Sequence, residues 1–73
     1  MRKTYHIEAR WDDAAKVWYS NSDVPGLTIE TDTLAEFEAL MRELVPDILA
    51  ENDGKDGASV EWKAYGTFNV EAA

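Results

Sequence analysis

The sequence predicts a small α+β domain, in the order β-β-β-α-β, with one helix laid on one face of an antiparallel sheet. Three observations predict it. Polar and apolar residues alternate with a period of two near both ends, from Thr4 to Trp11 and again from Ala58 onward. Between these stretches, apolar residues recur at helical spacing from Leu34 to Leu49. Short runs of turn-forming residues punctuate the elements.

In the first strand, Tyr5, Ile7, Ala9 and Trp11 share one face, and Thr4, His6, Glu8 and Arg10 the other. That is the pattern of a half-buried strand. Asp12-Asp13-Ala14-Ala15 reads as a tight connection. The second strand, Lys16 to Asn21, is rich in aromatic and β-branched residues. So short a link makes the pair an antiparallel hairpin. Ser22-Asp23-Val24-Pro25-Gly26 follows as a turn. Pro25 presets φ at the second position of a type II turn, and Gly26 supplies the positive φ at the third. Leu27 to Thr31 is a third, shorter strand.

Thr33-Leu34-Ala35-Glu36 is a capping box: the Thr33 hydroxyl takes the Glu36 amide, and Glu36 reaches back to the Thr33 amide. Leu34, Phe37, Leu40, Met41, Leu44, Val45, Ile48 and Leu49 then cover about half the helix circumference, at ~100° per residue. Pro46 lies inside this pattern. It removes one backbone hydrogen bond and crowds the carbonyl of Arg42, which predicts a kink or a break into a second short helix. A polar loop from Asn52 to Gly57 ends the helix. In the last strand Val60, Trp62 and Ala64 share one face, with Glu61, Lys63 and Tyr65 on the other. Gly66 is read as a bulge, with Phe68 and Val70 continuing the strand.

A chain of 73 residues makes one domain, spanning 1–73. A domain this short buries only about 60% of the surface its unfolded chain exposes, so its core is small. Its net charge of −8 argues against a direct nucleic-acid partner, which requires clustered Lys and Arg. The charge is uneven. Arg2, Lys3, Arg10 and Lys16 outweigh Glu8, Asp12 and Asp13 by one within residues 1–16, leaving a net of −9 in the remainder. This acidity either keeps the domain soluble or forms a face for a basic protein. The absence of Cys excludes disulfides and thiolate metal sites. No apolar run approaches the ~20 residues of a membrane span, and no secretory signal opens the chain, so a cytoplasmic location away from membranes is expected.

A single helix covers one face of such a sheet and leaves the other open. Either Val17 and Tyr19 point toward the helix and Trp18 away from it, or the reverse. In both arrangements a large aromatic sits on the open face, joined there by Tyr65. Exposed aromatics of this size mark interfaces.

Little points to catalysis. His6 lies on the polar face of the first strand, with no Ser or Cys placed by local sequence to serve as nucleophile. No zinc, phosphate or dinucleotide motif occurs. The loop after the helix lacks the alternating ligands of a calcium loop, and Ala64 stands where the terminal Glu would be. Glu8 and Glu61 facing each other on adjacent strands would suit a metal-dependent nuclease, but too few basic residues are present to hold its polyanionic substrate. The expectation is a non-enzyme without metal or cofactor.

Trp11-Asp12, Val17-Trp18, Ser22-Asp23-Val24-Pro25-Gly26-Leu27 and Thr31-Asp32-Thr33-Leu34 with Glu36 follow one another in a familiar order. Over residues 4 to about 50, and more loosely over the last strand, the chain resembles the N-terminal domain of HicB-type antitoxins, above all their short single-domain relatives. The resemblance implies a partial ribonuclease H-like fold without nuclease chemistry. It also implies an antidote role toward HicA, a small basic mRNA-cleaving toxin whose RNA-binding face and catalytic histidine the antitoxin masks. Full-length HicB proteins add a C-terminal DNA-binding segment, which is not expected here. The functional expectation is therefore a domain that binds a HicA-like toxin. On face geometry, its contact residues are Trp18, Tyr19, Glu8, Glu61 and Tyr65. The alternative is a homo-oligomeric regulatory or structural module that has lost its toxin.

Overall fold

The structure, a computed structural model, describes residues 3–52 and 57–72. Strand β1 spans Lys3–Asp12, β2 Val17–Ser22, β3 Glu30–Thr31, helix α1 Leu34–Asn52 and β4 Ala58–Tyr65. The four strands form one sheet in the order β3-β2-β1-β4. Most of the loop expected over 52–57, including the stretch compared with a calcium loop, lies outside the described residues.

The hairpin is as expected: β1 and β2 pair antiparallel, with Trp11 opposite Trp18 and Ala9 opposite Ser20. Its turn is held by Asp12, whose Oδ1 accepts from the amides of Ala14 and Ala15 at 3.0 and 3.1 Å. Lys16 closes it with φ of 61°, its amide donating to the Asp12 carbonyl at 2.7 Å.

The sheet itself corrects an expectation, because it is mixed. β4 runs parallel to β1, with Ile7 opposite Trp62 and Glu8 opposite Lys63. The reason is the long return path. β1 and β3 are both antiparallel to β2, so they run the same way. A 19-residue helix is about 28 Å long, enough to carry the chain back across the sheet to the end where β1 starts. β4 then leaves in the direction of β1, as in a strand-helix-strand crossover.

β3 is also shorter than expected, two residues instead of five. Ser20 explains this. Its amide donates to the Ile29 carbonyl at 3.0 Å, and its side-chain oxygen accepts the Ile29 amide at 2.9 Å. A side chain thus replaces a ladder bond, and only Glu30 and Thr31 pair regularly.

The Pro-Gly turn forms as read. The Leu27 amide donates to the Val24 carbonyl at 3.3 Å, and Gly26 has φ of 74°. No atom lies within 4 Å of a Cβ built on Gly26, so an added methyl meets only backbone strain. Gly26→Ala should lower stability by about 1 kcal/mol in urea unfolding.

The helix starts at its predicted cap. The Thr33 oxygen accepts the Glu36 amide at 3.1 Å, but Glu36 Oε1 accepts from the Thr33 hydroxyl at 2.9 Å in place of the Thr33 amide. Pro46 does not split the helix, which continues through it to Asn52. Phe37, Met41, Val45 and Leu49 form its buried stripe, four residues apart, while Leu40 stays at the rim. They close over Tyr5, Ile7 and Ala9 of β1, with Val24 and Ile29 sealing one side. Thr31 is the buried polar residue here; its hydroxyl donates to the Thr33 carbonyl at 2.7 Å.

β4 ends at Tyr65, so Phe68 and Val70 do not continue it, and Gly66 marks a close approach where a bulge was expected. A Cβ at Gly66 would stand 3.0 Å from the Trp11 Cβ. Among the described residues, no helix is long and apolar enough to cross a membrane.

Candidate functional site

The face of the sheet away from α1 is the candidate site. Pairing brings residues from β1, β2 and β4 into three cross-strand rows on it.

The first row is Tyr19, Arg10 and Tyr65, with Arg10 directly between the two tyrosines. The Arg10 guanidinium lies over the Tyr65 ring at 5.9 Å, a cation–π distance. Both tyrosines reach solvent, at 38% and 57% exposure, and are the large aromatics of this face.

The second row is Asn21, Glu8 and Lys63. Glu8 Oε1 accepts from Arg10 at 3.0 and 2.8 Å and from Asn21 Nδ2 at 3.1 Å, while Lys63 Nζ stands 3.4 Å from Oε2. The Asn21 hydrogen bond, then that of Arg10, holds the Glu8 carboxyl below its ordinary value of 4.5. In turn, Glu8 keeps Arg10 more firmly protonated, with a smaller push from Tyr19. A carboxyl depressed by folding stabilises the fold above its unfolded pKa. That contribution should fade as pH falls from 4.5 through the lower folded value. Carboxyl NMR should show Glu8 titrating below 4.5, and Asn21→Ala should move the midpoint upward. An unmoved midpoint would remove Asn21 from this account.

The third row is His6 with Glu61, flanked by Asp23. The His6 ring nitrogens stand 3.5 Å from Asp23 and 3.6 Å from Glu61. Asp23 also accepts the His6 amide at 2.8 Å, and this bond pulls the Asp23 carboxyl below its ordinary range. These rows border a shallow, solvent-open concavity of about 550 Å³, lined among others by His6, Glu8, Asn21, Asp23, Glu61 and Lys63.

Of the five residues expected to share a contact surface, Glu8, Tyr19, Glu61 and Tyr65 do lie on this face. Trp18 does not. Paired with Trp11, it points to the helix side and packs against the core, its ring 5.3 Å from that of Trp11. The register requires this: once Ile7 and Ala9 are buried, their partners Ser22 and Ser20 share the buried side, and so does Trp18.

The imagined pairing of Glu8 with Glu61 is also corrected. Glu8 faces Lys63, and Glu61 faces His6. Both Glu8 oxygens are engaged by cations and an amide, which suits a structural ion network. Among the described residues, no three His, Cys, Asp or Glu side chains converge as metal ligands.

Arg10, Asn21, Asp23 and Lys63 escaped the sequence reading. Alternation already placed Arg10 and Lys63 on faces with Glu8 and Glu61. Asn21 and Asp23 required the hairpin register.

No curated protein matches the chain. Among solved structures it is similar to a hypothetical protein, TTHA1013, of the extremely thermophilic bacterium Thermus thermophilus. The two are 37% identical, with 96% of this chain and 100% of that one covered at a TM-score of 0.68. The family model for a domain of unknown function, DUF1902, matches residues 4–69. Nearly the whole sheet-and-helix unit lies within that match, so the chain belongs to the DUF1902 family.

Proposed function

We propose that this chain is a HicB-type antitoxin domain, with a partial ribonuclease H-like fold, that masks a small basic HicA-like ribonuclease. The observation that carries this reading is the uncovered sheet face. α1 seals one side, and the other presents Tyr19 and Tyr65 among the carboxylates of Glu61, Asp23 and Glu30. Aromatic anchors give a docking partner apolar area. Carboxylates around them steer a basic protein and disfavour an acidic one. The whole-chain charge of −8 adds to that field. Masking requires no catalytic group, and Glu8 serves to hold Arg10 and Lys63 in place.

The test is calorimetric titration against a basic HicA-like protein encoded beside this chain, with mRNA cleavage as a second readout. Binding should suppress cleavage. The double change Tyr19→Ala and Tyr65→Ala should weaken affinity at least about tenfold, the loss of one modest hot spot. Equal affinity in the variant, or no binding by the native chain, would overturn the reading.

A further inference from the structure

We propose that the outer edge of β4, with the arm that follows it, pairs antiparallel with the same edge of a second copy of this chain. The two edges of the sheet are unlike. β3, at one edge, is two residues long and follows a Pro-Gly turn. Such an edge is blunted against pairing. β4, at the other edge, is eight residues long, and no Pro occurs between Ala58 and Ala72. Among the described residues, no strand lies beside its outward backbone amides and carbonyls.

Beyond Tyr65 the described chain forms no ladder of its own. Yet the period of two persists: Val60, Trp62, Ala64, Gly66, Phe68 and Val70 fall on one side. Phe68 and Val70 are 76% and 82% exposed, the two most exposed large apolar residues described. The radius of gyration, 14.5 Å against roughly 11 Å for a compact chain of this size, reflects an extended molecule 56 Å long. Residues 58–72 as one strand would span about 50 Å.

A second copy is the occupant for two reasons. The first is charge. Residues 57–72 hold only Glu61, Lys63 and Glu71, a net of −1, within a chain of −8. Two like-charged copies repel least along this edge, whereas a basic partner finds little to attract it. The second is self-complementarity. With Tyr65 on the two-fold axis, Trp62 stands opposite Phe68 of the second copy, and Val60 opposite its Val70. Such cross-strand apolar pairs are the stabilising unit of a sheet. On the other face, Lys63 meets Thr67 and Glu61 meets Asn69, so no like charges oppose. A shift of one pair outward along the arm would set Glu61 against Glu71. Both helices then lie on one side of a continuous eight-stranded sheet.

Sedimentation equilibrium of the native chain should give twice its 8.2 kDa mass. The double change Phe68→Asp and Val70→Asp should raise the dimer dissociation constant at least about 100-fold. Circular dichroism should remain native, because both side chains are exposed within one copy. Tyr19→Asp, on the open face, should leave the dimer intact. The chain lacks Cys, so Tyr65→Cys should oxidise to a linked dimer and Asn69→Cys should not. A monomer, a dimer indifferent to the arm changes, or equal linkage at residue 69 would overturn the proposal. Tyr65 lies at the margin shared by the two surfaces, but the dimer is read through Phe68 and Val70 and toxin masking through Tyr19, so either proposal can fail while the other stands.

Discussion

Phe37→Ala should leave the chain largely unfolded at 37 °C. Phe37 is 0% exposed and stands where α1 meets the floor formed by Ile7 and Ala9. Truncating a buried Phe removes about 3–5 kcal/mol through lost transfer energy and the cavity left behind. A chain of 73 residues has roughly 4–11 kcal/mol in total, so this one change removes a large share of it. The core cannot close over the gap, since Ile7 and Ala9 are fixed by pairing on both sides of β1, and Tyr5 by pairing with β4. Thermal unfolding followed by circular dichroism checks it. A cooperative melt within a few degrees of the native chain would show that Phe37 is not the keystone of the core.

Trp18→Ala should be the second most damaging change, with a loss of about 2–3 kcal/mol. The ring is only partly buried, so the value falls below that of a fully enclosed aromatic. It also forfeits the tilted contact with Trp11. Tyr19→Ala, one residue along, should cost less than about 1 kcal/mol, since its ring points to solvent on the opposite face. Urea unfolding of the two variants reads the strand register directly. A reversed order would mean that β2 is turned over relative to this structure. Molecules of Trp18→Ala that remain folded should bind an open-face partner as the native chain does. Tyr19→Ala should bind more weakly while remaining stable.

These neighbours also show how far local pattern reaches. Alternation in residues 17–19 states that Trp18 and Tyr19 point opposite ways, and nothing more. The same holds for Glu8 and Glu61. Each was rightly placed away from the helix, but their offset depends on how β4 slides along β1. A slip of two residues keeps every side chain on its face and changes every neighbour. The ion network around Glu8 is therefore absent from any one-strand reading. Tyr65 was legible along the chain, because its phase relative to Trp62 and Val60 is a local property, whereas the side taken by Tyr19 required the hairpin register.

Features with short-range causes are legible along the chain. The Asp12 turn, the Pro25-Gly26 turn, the Thr33 cap and the stripe from Phe37 to Leu49 each rest on residues within a few positions of one another, and each forms where local chemistry places it. The parallel course of β4, the shortening of β3 by the Ser20 side chain, the inward turn of Trp18 and the unpaired arm after Tyr65 rest on contacts between distant segments. Local torsional preference and amphipathic period carry no information about which strand lies alongside another. That choice falls to the burial of the shared apolar face, and it exists only once the chain has closed on itself.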